Sequence, residues 1–147
     1  MPSVVTITNN AVTPIYQIAK KNNTMLNHNF PACRTPIKKE SKTMQTAKAY
    51  ILNNLDQPIT IARIAGTIHQ SKSSLKRKFI ATYGYTVYEF IQYERIKKAT
   101  ILFRTGDYKI TEAANAVGYT NIFHFSKAFC KHVGCKPKEY LKALGLS

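Results

Sequence analysis

An internal repeat in the C-terminal part of the chain constrains its fold more than any other sequence feature. Positions after Thr60 recur 49 residues later and, once the register has slipped by one residue between Ser71 and Leu75, 50 residues later. The pairs are Ile61/Ile110, Ala65/Ala114, Ile68/Val117, Leu75/Phe125, Phe79/Phe129, Gly84/Gly134, Glu89/Glu139, Phe90/Tyr140 and Ile91/Leu141. Apolar spacing is kept where a core requires it, whereas a slip in a turn is tolerated. The sequence therefore predicts two copies of one small unit.

Within each copy, the pattern indicates a short helix, a tight turn and a second helix, which together form a helix-turn-helix. Hydroxyl or amide side chains that can cap helix N-termini precede the predicted helices: Thr60 and Ser71 in the first copy, Thr111 and Thr120 or Asn121 in the second. Gly118 can supply a left-handed residue in the second turn. His69 stands in the first turn, where histidine is tolerated in that conformation.

A long helix is predicted over residues 86–105, between the two second helices. Thr86 and Glu89 have the spacing of a capping box, and Gly106 follows as a C-terminal cap. At about 100° per residue, the apolar residues form two faces rotated by roughly 120°: Val87, Phe90 and Ile91 on one, and Ile96, Ala99, Leu102 and Phe103 on the other. A helix that packs on a single core keeps one apolar stripe. One helix is therefore expected to serve two cores.

Residues 1–42 differ in composition from the rest, being rich in asparagine and carrying four prolines. We expect a weakly ordered arm or linker there, with the stub of another domain as the alternative. A compact domain is expected over residues 43–147. It should begin with a helix from Met44 to Leu55, which Pro58 ends.

The net charge of +15, from 22 basic and 7 acidic residues, exceeds what solubility requires in a small domain. From Lys42 onward there are 17 basic and 6 acidic residues, a difference of +11, so the excess belongs to the folded part. An anionic partner is expected, and nucleic acid is favoured over a membrane because the apolar faces are used in the cores. The start of the chain lacks the pattern of a secretion signal, so we expect a cytoplasmic protein.

Within a match that covers about residues 44–143, seven motifs fall in order: Leu55-Asp-Gln-Pro-Ile-Thr-Ile-Ala-Arg-Ile-Ala65, Ser71-Lys-Ser-Ser-Leu-Lys-Arg-Lys-Phe79, Tyr83-Gly84, Glu94-Arg-Ile-Lys-Lys-Ala99, Ala113-Ala-Asn-Ala-Val-Gly-Tyr-Thr-Asn121, Phe125-Ser-Lys-Ala-Phe129 and Pro137-Lys-Glu-Tyr140. Together they resemble the DNA-binding domain of the AraC/XylS family of bacterial transcription regulators. The resemblance implies an all-α, seven-helix domain in which a long central helix joins two helix-turn-helix units. It also implies transcription regulation, often activation, with both recognition helices in successive major grooves and RNA polymerase as a partner.

Candidate DNA contacts lie on the outer faces of the two recognition helices. Arg77 and Lys76 are the strongest candidates for base reading, because arginine pairs bidentately with guanine and both residues lie near the helix start. The alternative is a solvated basic face. Further base-reading candidates are Ser73, Ile122, Phe123, His124 and Lys127, the last at a position where the family usually has Arg or Lys. Lys72, Lys78 and Lys131 are expected to hold phosphates, which sets register without specifying sequence.

Three of these candidates have a second interpretation. Ile122 and Phe123 could contact thymine methyl groups or could pack partly in the second core. His124 could donate to a base or phosphate, or could be a half-buried helix residue. The sequence does not decide between these roles.

Cys130, His132 and Cys135 invite a metal interpretation, since thiolates and imidazole suit zinc. Residues two apart on a helix do not share a face, and no fourth ligand has suitable spacing, so we expect no metal. Three cysteines, an odd number, favour reduced thiols. No catalytic pairing or glycine-rich phosphate loop is present in the sequence, so we expect neither a cofactor nor an enzyme.

These features predict a sequence-specific, double-stranded DNA-binding transcription regulator, expected to activate. Two tandem units on one chain should let it bind DNA as a monomer. The main alternative is a non-specific architectural DNA-binding protein, which needs the same charge but no base contacts. A metal- or thiol-dependent enzyme is the third class considered, and it would require a bound metal or a low-pKa cysteine.

Overall fold

The computed structural model describes residues 39–146, which form seven helices and no strand. The helices are α1 (Lys42–Asn53), α2 (Ile61–Thr67), α3 (Lys72–Tyr83), α4 (Val87–Thr105), α5 (Ile110–Ala116), α6 (Ile122–Val133) and α7 (Pro137–Ala143). The all-α fold with seven helices is confirmed. Most of the predicted arm, residues 1–42, lies outside the described residues. Over the described range, no helix combines the length and the apolar character that crossing a bilayer requires.

Three of the predicted N-caps are confirmed by hydrogen bonds. The Thr60 hydroxyl accepts a bond from the Arg63 N–H at 3.2 Å, and the Ser71 hydroxyl accepts one from the Ser74 N–H at 3.1 Å. The amide oxygen of Asn121 accepts bonds from two N–H groups at 2.8 and 3.2 Å. Each cap satisfies backbone donors that the first helical turn leaves unpaired.

The predicted cap at Thr111 is wrong, because α5 already begins at Ile110, two residues before the start that a cap at Thr111 would give. Lys109 occupies the N-cap position, and its N–H donates to the Glu112 carboxylate at 2.7 Å. An acidic side chain in the first turn satisfies this donor and complements the helix dipole. A hydroxyl cap is therefore not needed, and Thr111 lies inside the first turn.

The central helix α4 begins and ends as predicted. The Thr86 N–H donates to the Glu89 carboxylate at 2.9 Å, and the Glu89 N–H donates to the Thr86 hydroxyl at 3.1 Å, which completes the capping box. Gly106 ends the helix with φ of 84°, in the left-handed region. The described chain separates into two compact units between Arg95 and Ile96, so α4 contributes residues to both.

The core of the first unit forms where α1, α2, α3 and α4 bring their apolar residues together. Phe79 of α3 lies edge-on to Phe90 of α4, with ring centroids 5.3 Å apart, and Tyr83 lies 4.7 Å from Phe79. Arg95 donates to two backbone carbonyl groups of the loop that follows α1, at 2.9 and 2.8 Å. The ring contacts hold α3 by one face and leave its opposite face outward.

The core of the second unit is centred on Phe103. Its ring lies 6.3 Å from that of Phe125, 5.7 Å from that of Phe129 and 6.2 Å from that of Tyr140. Phe103 is completely buried, whereas Leu102, which the pattern placed in the same core, is only half-buried. The expectation that Leu102 is a core residue is therefore corrected, because the apolar face of α4 centres one residue further along.

Candidate nucleic-acid interface

Helix α3 buries one face and exposes a strongly basic one. Leu75 and Phe79, four residues apart, are completely buried. The five candidate contacts on this helix are all exposed: Lys72, Ser73, Lys76, Arg77 and Lys78. Its twelve residues include four basic and no acidic side chains. Folding therefore gathers the predicted residues on one positively charged surface, as DNA backbone binding requires.

Hydrogen bonds tie one of these cations to the turn before α3. The Lys78 ammonium donates to the Gln70 side-chain oxygen at 2.8 Å, and the Ser74 hydroxyl donates to the same oxygen at 2.9 Å. An ammonium group has three donors, so this bond leaves Lys78 able to bind a phosphate as well. Gln70 positions it, a role that spacing alone did not reveal.

The two helix-turn-helix turns share the same backbone geometry. The Gln70 N–H donates to the Ala65 carbonyl at 2.9 Å, and the Tyr119 N–H donates to the Ala114 carbonyl at 2.9 Å. The left-handed residue is His69 in the first turn, with φ of 53°, and Gly118 in the second, with φ of 94°. The predicted left-handed histidine is confirmed. Both recognition helices therefore follow their partner helices through equivalent turns.

Helix α6 buries Phe125, Ala128 and Phe129 and presents a different chemistry outward. Phe123 is 79% exposed, and His124, Lys127 and Lys131 are exposed as well. Ile122 is half-buried, and so is Ser126, which the pattern placed on the outer face.

The exposed fractions of these side chains decide between the alternatives that the sequence left open for α6. Phe123 is not a core residue, and His124 is not half-buried; both are available to a partner. Ile122 packs partly in the second unit and still reaches its surface. Base contacts by these residues stay a prediction.

The three residues of the metal interpretation occupy different environments. Cys130 is exposed, whereas His132 and Cys135 are buried. No group of three His, Cys, Asp or Glu side chains within the described range could hold a metal ion.

A polar cluster at the end of α3 was not anticipated from the sequence. The Tyr83 hydroxyl donates to the Glu40 carboxylate and lies 3.2 Å from the Met44 carbonyl oxygen. The Lys48 ammonium lies 3.3 Å from the Glu40 carboxylate and 5.4 Å from the centre of the Tyr83 ring. The bond from Tyr83 lowers the pKa of Glu40, and burial raises the pKa of Tyr83.

This cluster connects Glu40, two residues before α1, to the C-terminal end of the basic helix α3. Glu40 and Tyr83 are 43 residues apart in the chain. Periodicity reports only neighbours on one element, so no sequence pattern could have paired them. Tyr83 thereby helps to fix the position of α3, although it does not lie on the candidate DNA surface.

A family model described as a helix-turn-helix domain matches residues 64–143. Among curated proteins, the chain is 32% identical over 107 residues to the uncharacterized HTH-type transcriptional regulator YfiF of Bacillus subtilis, a match that covers 73% of this chain and 34% of that protein. The chain thus spans about a third of the length of this relative.

Solved structures share the fold. A probable AraC family transcriptional regulator from Rhodopseudomonas palustris matches with a TM-score of 0.65 and 27% identity, over 71% of this chain and 98% of that one. The DNA-binding domain of the global transcriptional factor AdpA, solved in complex with a target DNA, matches with a TM-score of 0.67 and 22% identity, over 70% and 93% of the two chains. The second match supports the fold alone.

Proposed function

Because the chain belongs to the AraC/XylS family of helix-turn-helix proteins, we propose that it is a sequence-specific, double-stranded DNA-binding transcription regulator that acts as an activator. Helices α3 and α6 insert into successive major grooves. The observation that carries the proposal is that each of these capped helices is held by its buried aromatic face and exposes the opposite face to a partner.

The residue roles follow from chemistry and exposure. In α3, Arg77 and Lys76 read bases, with Ser73 beside them near the helix start. Lys72 and Lys78 hold phosphates on either side. These roles fit side chains that are exposed on one helix face.

Helix α6 reads its groove through a different set of side chains. Phe123 and Ile122 contact thymine methyl groups, and His124 and Lys127 donate to bases. Lys131 holds a phosphate, one turn further along. The two helices expose different chemistry, so they should prefer different sequences.

A single chain carries both recognition helices, so it binds as a monomer and needs no palindromic site. Activation brings RNA polymerase to the promoter, in the cytoplasm. The family relationship supports these roles.

A non-specific architectural protein is the second candidate, because charge alone is sufficient to coat DNA. The exposed Phe123 favours the specific role. A large aromatic side chain at 79% exposure contributes nothing to phosphate binding, whereas apolar contact with thymine methyl groups discriminates between bases.

Selection of bound sequences from a random pool of duplexes tests the proposal. The whole chain at fixed salt should enrich two short, unlike tracts centred about 10 base pairs apart. Retention of duplexes without enrichment of any sequence would instead establish the architectural role. Salt is held constant because phosphate contacts make the affinity steeply salt-dependent.

A further inference from the structure

Each unit has a surface groove between its recognition helix and the start of the following helix. The groove of the first unit has a volume of about 410 Å³ and is lined in part by Thr86, Val87 and Tyr88. The groove of the second unit has a volume of about 530 Å³ and is lined in part by Lys136 and Lys138. Every residue that lines the first groove has its repeat counterpart, 49 or 50 residues later, in the lining of the second. The grooves are therefore the same feature in two copies.

The two copies differ sharply in charge. Four lysines and no carboxylate line the second groove: Lys127, Lys131, Lys136 and Lys138. The first groove is lined by one cation, Lys76, and its remaining residues are uncharged. In particular, Tyr88, which is 68% exposed, takes the place that Lys138 takes in the second copy. The groove therefore recurs in both units, but only the groove of the second unit has a strongly basic lining.

The basic groove is continuous with the proposed DNA surface. Lys127 and Lys131 are exposed on α6 and also line the groove. The start of α7 is well fixed beside them, because the Lys136 N–H donates to the Glu139 carboxylate at 2.8 Å and Pro137 is buried. The backbone that carries Lys136 and Lys138 is therefore held at the edge of the recognition helix.

The recognition helices of the two units differ in their number of basic residues, and the lysines of the second groove can compensate for this difference. Helix α3 carries four cations of its own, whereas the N-terminal part of α6 exposes Phe123 and no lysine precedes Lys127 in that helix. An apolar surface supplies little electrostatic attraction to a duplex, and phosphate contacts supply most non-specific affinity. The second unit needs cations from outside the first turn of its recognition helix.

We infer that Lys136 and Lys138 bind phosphates of the DNA strand that borders the groove read by α6, and that with Lys131 they form a phosphate-binding rim. This inference rests on the proposed function and names α7 as an additional DNA-contacting element. The rim holds the second unit on the backbone while Phe123 contacts the bases. The first unit has no such rim, because Thr86 and Tyr88 occupy the matching positions.

The test compares two double variants of the whole chain that remove the same charge. Lys136→Ala/Lys138→Ala removes two of the three rim lysines, and Lys98→Ala/Lys142→Ala removes two exposed lysines that line neither groove. Affinity for a selected duplex and for a scrambled duplex is measured between about 50 and 200 mM salt. Thermal unfolding followed by circular dichroism verifies that both variants are folded. If Lys136→Ala/Lys138→Ala is not folded, Lys136→Gln/Lys138→Gln is used in its place.

We expect the rim variant to bind both duplexes more weakly, by the same factor. The plot of log K against log salt should become less steep by about 0.9 per lysine, or about 1.8 in total. The control variant should keep nearly the wild-type slope. An unchanged slope in the rim variant, or an equal change in the control, overturns the inference. Absence of any sequence preference in the wild type contradicts the proposed function alone, since the slopes can still be compared on scrambled DNA.

Uncharged methylphosphonate groups locate the contact on the DNA. Placed at the backbone positions flanking the α6 tract, they should lower the affinity of the wild type more than that of the rim variant, because two of the lysines that bind these phosphates are already absent from the variant. An equal loss in both proteins would assign those phosphates to other residues and overturn the inference.

Discussion

Arg77 and Lys72 lie on the exposed side of the same helix but are expected to recognise different parts of DNA. Arginine can pair with both acceptors of guanine, whereas a lysine in the first turn is placed for the backbone. Arg77→Ala should cost about 1–3 kcal/mol of binding free energy on the preferred duplex and relax discrimination at one or two base pairs.

Lys72→Ala is the matched control, because it removes a charge from the same helix. It should lower the affinity for preferred and scrambled duplexes alike. Fluorescence titration of both duplexes with both variants measures these affinities. If Arg77→Ala also lowers both affinities equally, Arg77 binds a phosphate and not a base.

Tyr83 and Glu40 form the clearest pH-dependent contact among the described residues. The Tyr83 hydroxyl holds the pKa of Glu40 below its usual value of 4.5. A lowered folded-state pKa stabilises the fold above the unfolded value, and this contribution is lost as pH falls through the lower folded value. Tyr83→Phe should therefore reduce the free energy of unfolding by about 1.5–3 kcal/mol at pH 7, and by less near pH 3.

Urea unfolding at the two pH values checks this prediction. Tyr108→Phe, at an exposed tyrosine, is the control and should change stability little at either pH. A destabilisation by Tyr83→Phe that is the same at pH 3 and pH 7 would show that the hydroxyl acts without Glu40.

Helix α4 shows how one element serves two units. Its second half buries Phe103 completely among three aromatic rings, whereas Leu102 is half-buried. Phe103→Ala should destabilise the second unit by about 3–5 kcal/mol, because it removes a ring from a packed core. Leu102→Ala should cost less than the roughly 2–5 kcal/mol of a fully buried leucine.

Hydrogen exchange can assign the effect of Phe103→Ala to one unit. Amides of α5 to α7 should lose protection, while those of α1 to α3 should keep most of theirs, because their core contains no part of this side chain. Equal loss of protection in both sets of helices would contradict two separate cores.

For the whole molecule, the two recognition helices on one chain predict a strict dependence on spacing in the DNA. Five base pairs inserted between the two tracts turn one tract by about half a helical turn. The second helix then faces the wrong side of the duplex, so affinity should fall toward that of one unit. Gel-shift titration at fixed salt measures this, and substitution of the same central base pairs without insertion is the control. Unchanged binding after insertion would rule out simultaneous binding by both helices.

The sequence by itself determined the repeat, the helix-turn-helix units and the outward side of each recognition helix. These features are local, since helical spacing places Leu75 and Phe79 inward and therefore Arg77 outward. Capping chemistry is equally local, so Ser71 could be identified as a cap in advance and Asn121 as one of two candidates with Thr120.

Only the tertiary structure decided which contacts join residues far apart in the chain. It paired Glu40 with Tyr83, made Phe103 and not Leu102 the centre of the second core, and brought the start of α7 beside α6, where Lys136 and Lys127 line one groove. Sequence periodicity records which face of an element is buried, but not which other element covers it. That depends on how the helices pack, and packing geometry is set by all the side chains of a core together.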